Sequence, residues 1–139
     1  MTDTRTTRGK TIVREMLGEE FLKAMQEHVD SGGFGAQAGA LAFGNAFADA
    51  WDRPGLERKY RSMITMAALI ALRTPHEYKH HVRAALGNGC SVAEIEEVIM
   101  QTLPYVGFPA VSIALTAASE VLREMGLLDN KTMASERGL

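Results

Sequence analysis

A carboxylate and an imidazole lie four residues apart in the middle of the chain, at Glu77 and His81. On a helix, side chains at this spacing meet on one face. A carboxylate beside an imidazole orients the ring and favours its protonated form, so the pair can hold or deliver a proton near neutral pH. We therefore predict that Glu77 and His81 form the catalytic pair of any acid–base reaction that the protein performs.

Each member of the pair also has a structural interpretation. Thr74, Pro75 and Glu77 have the pattern of a capped helix start, in which Thr74 is the N-cap and Glu77 its reciprocal partner. His81 is flanked by apolar positions and is also consistent with a histidine that finds its partner in the core. The cluster of histidines and a glutamate makes a metal site possible, but no third ligand is evident, so no metal is predicted.

Helices must position these side chains, because apolar residues recur at three- and four-residue steps and no alternating stretch of strand length occurs. The fold is therefore predicted to be all-α. Glycine and proline divide the pattern into six helices, of which the third is apolar nearly all round over residues 63–72 and is predicted to be buried. The helices are expected at residues 10–28, with a bend or break at Gly18, and at 37–51, 57–72, 75–87, 92–103 and 110–125.

Length and composition exclude several classes of protein. With 139 residues, 46% hydrophobic and 23% charged, the chain is predicted to form one soluble domain over residues 9–127, between a flexible tail at 1–8 and a polar tail at 128–139. A net charge of −2 offers no attraction for nucleic acid or an anionic membrane, and no apolar run approaches the roughly 20 residues of a membrane span. Cys90 is the only cysteine, which excludes an intrachain disulfide and favours a cytoplasmic location.

Arginine and aromatic residues are candidates for the walls of a binding site. Arg53 follows Trp51 in a turn that Pro54 stiffens, and a guanidinium matches a carboxylate through two parallel hydrogen bonds. Arg61 is a second candidate of this kind. Tyr105 lies in a segment bracketed by prolines, where its phenol could line a cavity. Arg53, Arg61 and Tyr105 are therefore candidates to contact a small substrate, although most arginines in proteins are simply solvated.

Several short motifs in this order resemble the γ-carboxymuconolactone decarboxylase family over residues 8–125. They are Trp51-Asp52-Arg53-Pro54-Gly55-Leu56, Arg61-Ser62, Glu77 with His81, Asn88-Gly89, Glu94-Ile95 and Tyr105-Val106-Gly107-Phe108-Pro109-Ala110. The resemblance implies a compact six-helix domain of the alkylhydroperoxidase D-like type that forms a homo-oligomer, a trimer or a hexamer. Peroxidases of that superfamily carry Cys-x-x-Cys-x-x-x-His, whereas this chain has Thr74, Glu77 and His81 at those positions, so their dithiol chemistry is excluded.

The family reaction, as the resemblance implies it, removes carbon dioxide from a carboxylated unsaturated γ-lactone to give an enol-lactone in aromatic catabolism, with no cofactor. The resemblance then gives His81 the role of proton donor or oxyanion partner, with Glu77 orienting it and keeping it protonated. Arg53 would bind the acetate arm of the substrate. The other walls of the pocket, expected between subunits, are assigned to Trp51, Tyr105 and Arg61.

Two other hypotheses stay open. The protein could be an isomerase or hydrolase of a related lactone, or a non-catalytic oligomer that binds a ligand or acts as a scaffold. A closed pocket in which an arginine faces Glu77 and His81 would favour an enzyme, whereas a tightly packed His81 without a cavity would favour the non-catalytic protein. Departures from the family pattern at Phe47 and Ala48-Asp49, and a glycine-rich loop from Gly32 to Gly39, leave the exact substrate open.

Overall fold

Helices make up almost the whole of the described chain. The computed structural model describes residues 3–129 and contains, within them, seven α-helices, one π-helix and no strand. The prediction of an all-α fold is confirmed, although eight helical elements replace the six expected. They are α1 (Thr4–Leu17), α2 (Glu19–Asp30), α3 (Ala36–Ala42), π1 (Phe43–Trp51), α4 (Arg58–Leu72), α5 (Pro75–Gly87), α6 (Val92–Val106) and α7 (Phe108–Glu124).

The chain divides into two compact units, one that ends at Arg58 and one that begins at Lys59. The N-terminal unit contains α1 to π1, and the C-terminal unit contains α5 to α7 and all of α4 except its first residue. The single domain predicted over residues 9–127 spans both units and stays a prediction. Most of the predicted polar tail at 128–139 lies outside the described residues. Within residues 3–129, no helix has both the length and the hydrophobicity that crossing a bilayer requires.

The first helix begins and ends earlier than predicted. Asp3 caps α1 by accepting hydrogen bonds from the backbone N–H groups of Arg5 and Thr6 at 3.1 and 3.3 Å, so residues 4–8 are helical where a loose tail was expected. Gly18 ends α1 with a φ of 93°, a value that residues other than glycine rarely adopt, and α2 starts at the next residue. The expected interruption at Gly18 is therefore confirmed as a complete break.

Close packing of α1 on π1 holds the N-terminal unit together. A Cβ atom at Gly9 would lie 1.8 Å from the carbonyl oxygen of Phe43, well inside any permitted contact. Beside this contact, the Arg5 guanidinium on α1 forms an ion pair with Asp49 on π1. The two helices can approach this closely only because position 9 has no side chain.

One hydrophobic core fills the C-terminal unit. It is built by α5, α6 and α7 together with one side of α4. Alanines dominate the contribution of α7, and such small side chains allow the neighbouring helices to pack closely against it. The core residues include Met66, Ile70, Tyr78, Val82, Ala85, Ile95, Ile99, Val111, Ala114, Ala117, Ala118 and Val121.

The helix α4 is not buried all round, contrary to the prediction for residues 63–72. Met66 and Ile70 lie in the core, whereas Ile64 and Leu72 are 61% and 68% exposed. A run of nine apolar residues interrupted only by Thr65 has no periodicity that could reveal which side faces solvent. The chain therefore presents an apolar stripe of α4 at its surface.

The sequence has capping-box patterns at Thr74–Glu77 and at Ser91–Glu94, and only the second forms in the structure. The Ser91 hydroxyl accepts a hydrogen bond from the Glu94 N–H, and the Glu94 carboxylate accepts one from the Ser91 N–H, both at 3.0 Å. The Thr74 side chain makes no cap hydrogen bond, and its hydroxyl instead donates to the Leu69 carbonyl oxygen at 3.3 Å. The interpretation of Glu77 as the partner of a Thr74 cap is therefore wrong.

The break between α6 and α7 is made by glycine and not by proline. Pro104 lies inside α6, which continues to Val106. Gly107 then ends the helix with a φ of 88°. Pro109 falls in the first turn of α7, where its missing N–H has no intrahelical partner to lose. The two prolines that bracket Tyr105 therefore do not break the helices, and the interruption lies at Gly107 alone.

We expect Gly9→Ala to destabilise the N-terminal unit, because the new methyl group would overlap the Phe43 carbonyl and push α1 away from π1. The free energy of unfolding, measured by urea denaturation, should fall by about 1–3 kcal/mol, the usual cost of overpacking. Gly55→Ala is the matched control, since a Cβ there meets no atom within 4 Å and should leave stability almost unchanged. Equal stability of the two variants would contradict the close contact.

Candidate functional site

The candidate catalytic pair lies on α5, and the packing of this helix sets its direction. Tyr78, Val82 and Ala85 are buried in the core, which fixes the rotation of α5 about its axis. Glu77 and His81 lie on the adjacent flank, about 100° around the helix from the row of Tyr78 and Val82. Glu77 is exposed and His81 is half-buried. The expected shared face is therefore present, with the carboxylate nearer to solvent.

Burial controls the protonation of His81 more strongly than Glu77 does. Desolvation lowers the pKa of His81 below its ordinary value, and the Glu77 carboxylate opposes this change without reversing it. The neighbouring His80 lowers the pKa further. The expectation that Glu77 keeps His81 protonated near neutral pH is thus wrong, because the ring is mainly neutral there. A neutral imidazole still offers one N–H donor and one acceptor nitrogen.

Two of the predicted binding residues belong to the N-terminal unit. Trp51 ends π1 and is only 8% exposed, so its ring is largely enclosed. Arg53 is exposed in the predicted turn that follows, and its backbone N–H donates to the Ala50 carbonyl oxygen at 3.3 Å. The chain thus holds the backbone of Arg53 in a turn while leaving its side chain at the surface.

The other two predicted binding residues belong to the C-terminal unit. Arg61 is half-buried on the first turn of α4. Tyr105 is on the last turn of α6 and is 82% exposed, so its phenol faces solvent in the single chain. The structure brings Glu77 and His81 together, and the grouping of the other four residues with them stays a prediction.

Cys90 has the environment of a packing residue. Its side chain is buried and its thiol lies 3.5 Å from the Lys59 carbonyl oxygen, to which it donates. Burial raises the pKa of the Cys90 thiol, so the nucleophilic thiolate is disfavoured. Cys90 is therefore a small buried side chain that fills space in the core.

A groove of about 330 Å³ lies between α6 and α7, with neither Glu77 nor His81 in its walls. Its lining is mostly apolar, and it is near the lower end of the size range of small-molecule sites. The residues that line it are Val92, Ile95, Glu96, Ile99, Leu115, Ala118, Ser119, Leu122, Arg123, Leu128 and Asp129. It is therefore separate from the predicted catalytic pair.

A second pair on α5 is formed by His76 and His80, whose four-residue spacing is visible in the sequence but which was given no role in the prediction. With Glu77 these residues give the pattern His-Glu-x-x-His, which places two imidazoles on one face of a helix. Their ring centroids are 4.8 Å apart and the rings are nearly perpendicular, at 82°. Desolvation lowers the pKa of His80, and the proximity of His76 lowers it further. The spacing identifies the pair, and the contact between its rings appears only in the folded chain.

The fold and the α5 residues define a small all-helical protein with a carboxylate and a histidine on one face of a core helix. The chain belongs to the carboxymuconolactone decarboxylase family, whose model matches residues 36–120. It is 33% identical over 127 residues to 4-carboxymuconolactone decarboxylase of Acinetobacter baylyi (strain ATCC 33305 / BD413 / ADP1), a match that covers 91% of this chain and 93% of that protein. The resemblance inferred from the short motifs is therefore confirmed.

Two further relatives match over shorter segments. The chain is 32% identical over 80 residues to nitrosuccinic acid decarboxylase npaB of Metarhizium robertsii (strain ARSEF 23 / ATCC MYA-3075), which covers 58% of this chain and 56% of that protein. It is 36% identical over 81 residues to an uncharacterized 15.0 kDa protein from the nqo9-nqo10 intergenic region of Paracoccus denitrificans, covering 56% and 60%. Two proteins with different names are thus similar in sequence to more than half of this chain.

The lowered pKa values of His80 and His81 predict a loss of stability in mild acid. As the pH falls through about 6.5, the histidines of the unfolded chain bind protons while the two half-buried imidazoles of the folded chain stay neutral. The free energy of unfolding is therefore at its full value above about pH 6.5 and decreases as the pH falls below it. The free energy of unfolding from urea titrations at several pH values should show this decrease. In the double variant His80→Gln/His81→Gln, the decrease should be smaller.

His28→Gln on α2 is the matched control for this experiment, because it removes an exposed histidine from the other unit. This variant should keep the pH dependence of the natural sequence. An unchanged pH dependence in the double variant would show that burial of the two α5 imidazoles does not cause the acid sensitivity.

Proposed function

We propose that this protein is a cofactor-independent decarboxylase that acts on a carboxylated unsaturated γ-lactone, of the kind converted from 4-carboxymuconolactone to 3-oxoadipate enol-lactone. The similarity to 4-carboxymuconolactone decarboxylase over nine-tenths of both chains carries the proposal. The pairing of Glu77 with His81 on one face of α5 supports it. As Cys90 is the only cysteine, we also propose that the enzyme works in the reducing cytoplasm.

The proposed substrate supplies its own electron acceptor. When the bond between the ring and the departing carboxylate breaks, its electron pair moves through the double bond to the lactone carbonyl oxygen. Carbon dioxide leaves, and the resulting dienolate takes one proton on carbon. Because the carbonyl stores the electron pair, the reaction requires the protein to stabilise oxygen charge and to direct a proton.

His81 is assigned to the oxyanion of this reaction. A mainly neutral imidazole still has one N–H, which can donate to the developing negative charge. Glu77, one turn earlier on the same face, attracts positive charge to the ring and so helps it to accept and pass on a proton. The lowered pKa of His81 thus favours the role of oxyanion partner over that of a permanently protonated acid.

Arg53 is assigned to the substrate carboxylate that does not react, with Trp51, Arg61 and Tyr105 as further contacts. A guanidinium binds a carboxylate through two parallel hydrogen bonds, which gives both charge and orientation. Arg53 is suited to this because its backbone is held in a turn and its side chain is exposed.

We further propose that the active site is completed in a homo-oligomer, a trimer or a hexamer. The support is the large apolar surface of the C-terminal unit, which a single chain leaves in water. Ile64 and Leu72 of α4 and Phe108 at the start of α7 are each more than 60% exposed, as is Tyr105. A second copy of this chain that covers these side chains would also enclose the exposed phenol of Tyr105.

A nitro acid is the second candidate substrate, favoured by the similarity to nitrosuccinic acid decarboxylase npaB. A nitro group, like a lactone carbonyl, takes up an electron pair on oxygen when a neighbouring carboxylate leaves. Both candidate substrates therefore require the protein to stabilise negative charge on an oxygen atom.

The purified enzyme should be given each compound separately, with carbon dioxide release and product mass as the readouts. No release of carbon dioxide from either compound would oppose a decarboxylase and favour a binding protein.

We expect His81→Ala to lower kcat by roughly a hundredfold or more, because it removes the group assigned to the oxyanion. Its helix content by circular dichroism and its molar mass in solution should match those of the natural protein. Glu77→Gln should also slow turnover, by a smaller factor, since its amide cannot attract positive charge to the ring. Full activity of His81→Ala would remove the histidine from the mechanism, and loss of stability alone in Glu77→Gln would restore a structural role for the glutamate.

Arg53→Lys tests the assigned carboxylate contact. The variant should lose about tenfold or more in kcat/KM on the diacid lactone, since lysine cannot reproduce a bidentate hydrogen bond. A lactone that lacks the second carboxylate provides the control, and its turnover should be insensitive to the change. Equal losses on both compounds would mean that Arg53 supports the turn and not the substrate.

A further inference from the structure

We propose that His76 and His80 bind a divalent transition-metal ion, with Zn²⁺ as the representative ion, at the N-terminal end of α5. This inference does not rest on the proposed function, because neither histidine belongs to the pair assigned to the reaction. It concerns a surface site on the helix that carries that pair. The sequence pattern and the ring geometry support it independently.

The spacing of the two residues is that of a chelating pair on a helix. Residues four apart lie about 40° apart around the axis and one turn apart along it, so both imidazoles leave the same face. Pro75 starts α5 immediately before His76, so both residues are in regular helical geometry. A helix that is already formed holds the two ligands near each other before an ion arrives, which lowers the entropic cost of binding.

The distance between the rings fits a shared ion. Zinc binds imidazole nitrogen at about 2.0–2.1 Å. Two rings that each point one nitrogen at the same ion, at an angle between about 90° and 110°, have centroids roughly 4.5–5.5 Å apart. The observed separation is 4.8 Å, and the rings meet edge to face at 82° and are not stacked. The separation of the two rings is therefore compatible with both of them binding one ion.

Some of the charges near His76 and His80 disfavour a bound cation and others favour it. The N-terminus of a helix carries partial positive charge, which disfavours a cation there. The Glu77 carboxylate in the same turn has the opposite effect, and it is exposed and close enough to affect the pKa of His80. The nearby Lys79 is engaged in an ion pair with Glu120 on α7. The ion therefore meets a local carboxylate, and the Arg83 guanidinium, which lowers the pKa of His80, is paired with Glu124.

The ligand set indicates the class of ion and the nature of the site. Imidazole favours zinc, copper and nickel, whereas magnesium and calcium prefer oxygen. Within residues 3–129, no group of three or more His, Cys, Asp or Glu side chains is arranged to hold a metal. The site thus has two protein ligands, and water would complete the coordination. Such a site binds reversibly and clamps the first turns of α5.

The test is a calorimetric titration of ZnCl₂ into the purified full chain, prepared without a histidine tag. We expect one ion per chain, and we expect His76→Gln and His80→Gln each to weaken binding by roughly tenfold or more, since each removes one of two ligands. His28→Gln is the matched control and should bind like the natural protein, because His28 has no histidine one turn away. MgCl₂ should give no comparable binding.

Thermal unfolding supplies a second readout. An ion that binds only the folded helix raises the melting temperature as its concentration increases. This rise should occur in the natural protein and in His28→Gln and disappear in His76→Gln, whose exposed position makes it the variant expected to keep its fold. Unchanged affinity in both α5 variants, or loss of binding in His81→Gln but not in His76→Gln, would overturn the proposal.

Discussion

The packing of α5 against α7 is the constraint from which the chemistry of the C-terminal unit follows. Tyr78, Val82 and Ala85 must be buried, and small alanines on α7 let the two helices approach closely. Once that face is fixed, helical geometry determines where every other α5 side chain lies. Glu77 and His81 occupy one flank, and His76 and His80 occupy a neighbouring one. A change that rotated α5 would therefore displace both pairs together.

Helix positions in this chain could be predicted where a local physical signal is strong. Ser91 and Glu94 satisfy each other's backbone N–H groups, so the pattern alone located the start of α6. Gly18 breaks the first helix because its positive φ is easily reached only by glycine. The shared face of Glu77 and His81 was predictable for a related reason: it depends on spacing within one helix and not on the tertiary fold.

Other features depend on information that a local pattern does not contain. The large side chains of Phe43, Phe47 and Trp51 are spaced four residues apart. Four residues make slightly more than one turn of an α-helix and slightly less than one turn of a π-helix, which has about 4.4 residues per turn. In both kinds of helix the three side chains therefore lie within about 40° of one another from each residue to the next. The pattern could not distinguish these two helices. The apolar run in α4 likewise concealed its exposed side, since its one polar residue, Thr65, is half-buried. At Thr74 the hydroxyl has the Leu69 carbonyl as an alternative partner, which only the folded chain reveals.

The protonation of His81 shows why the chemical role of a site residue is harder to predict from the sequence than the identity of the residue. Spacing revealed the Glu77 carboxylate, but the opposing desolvation exists only after folding, and it has the larger effect on the pKa of His81. In the proposed reaction, the negative charge of the departing carboxylate is not lost but moves onto the carbonyl oxygen. If that oxygen lies beside His81, the proton affinity of the ring rises as the charge arrives, and Glu77 adds to the rise. The interaction with His81 is then stronger in the transition state than in the ground state, and only such a difference accelerates a reaction.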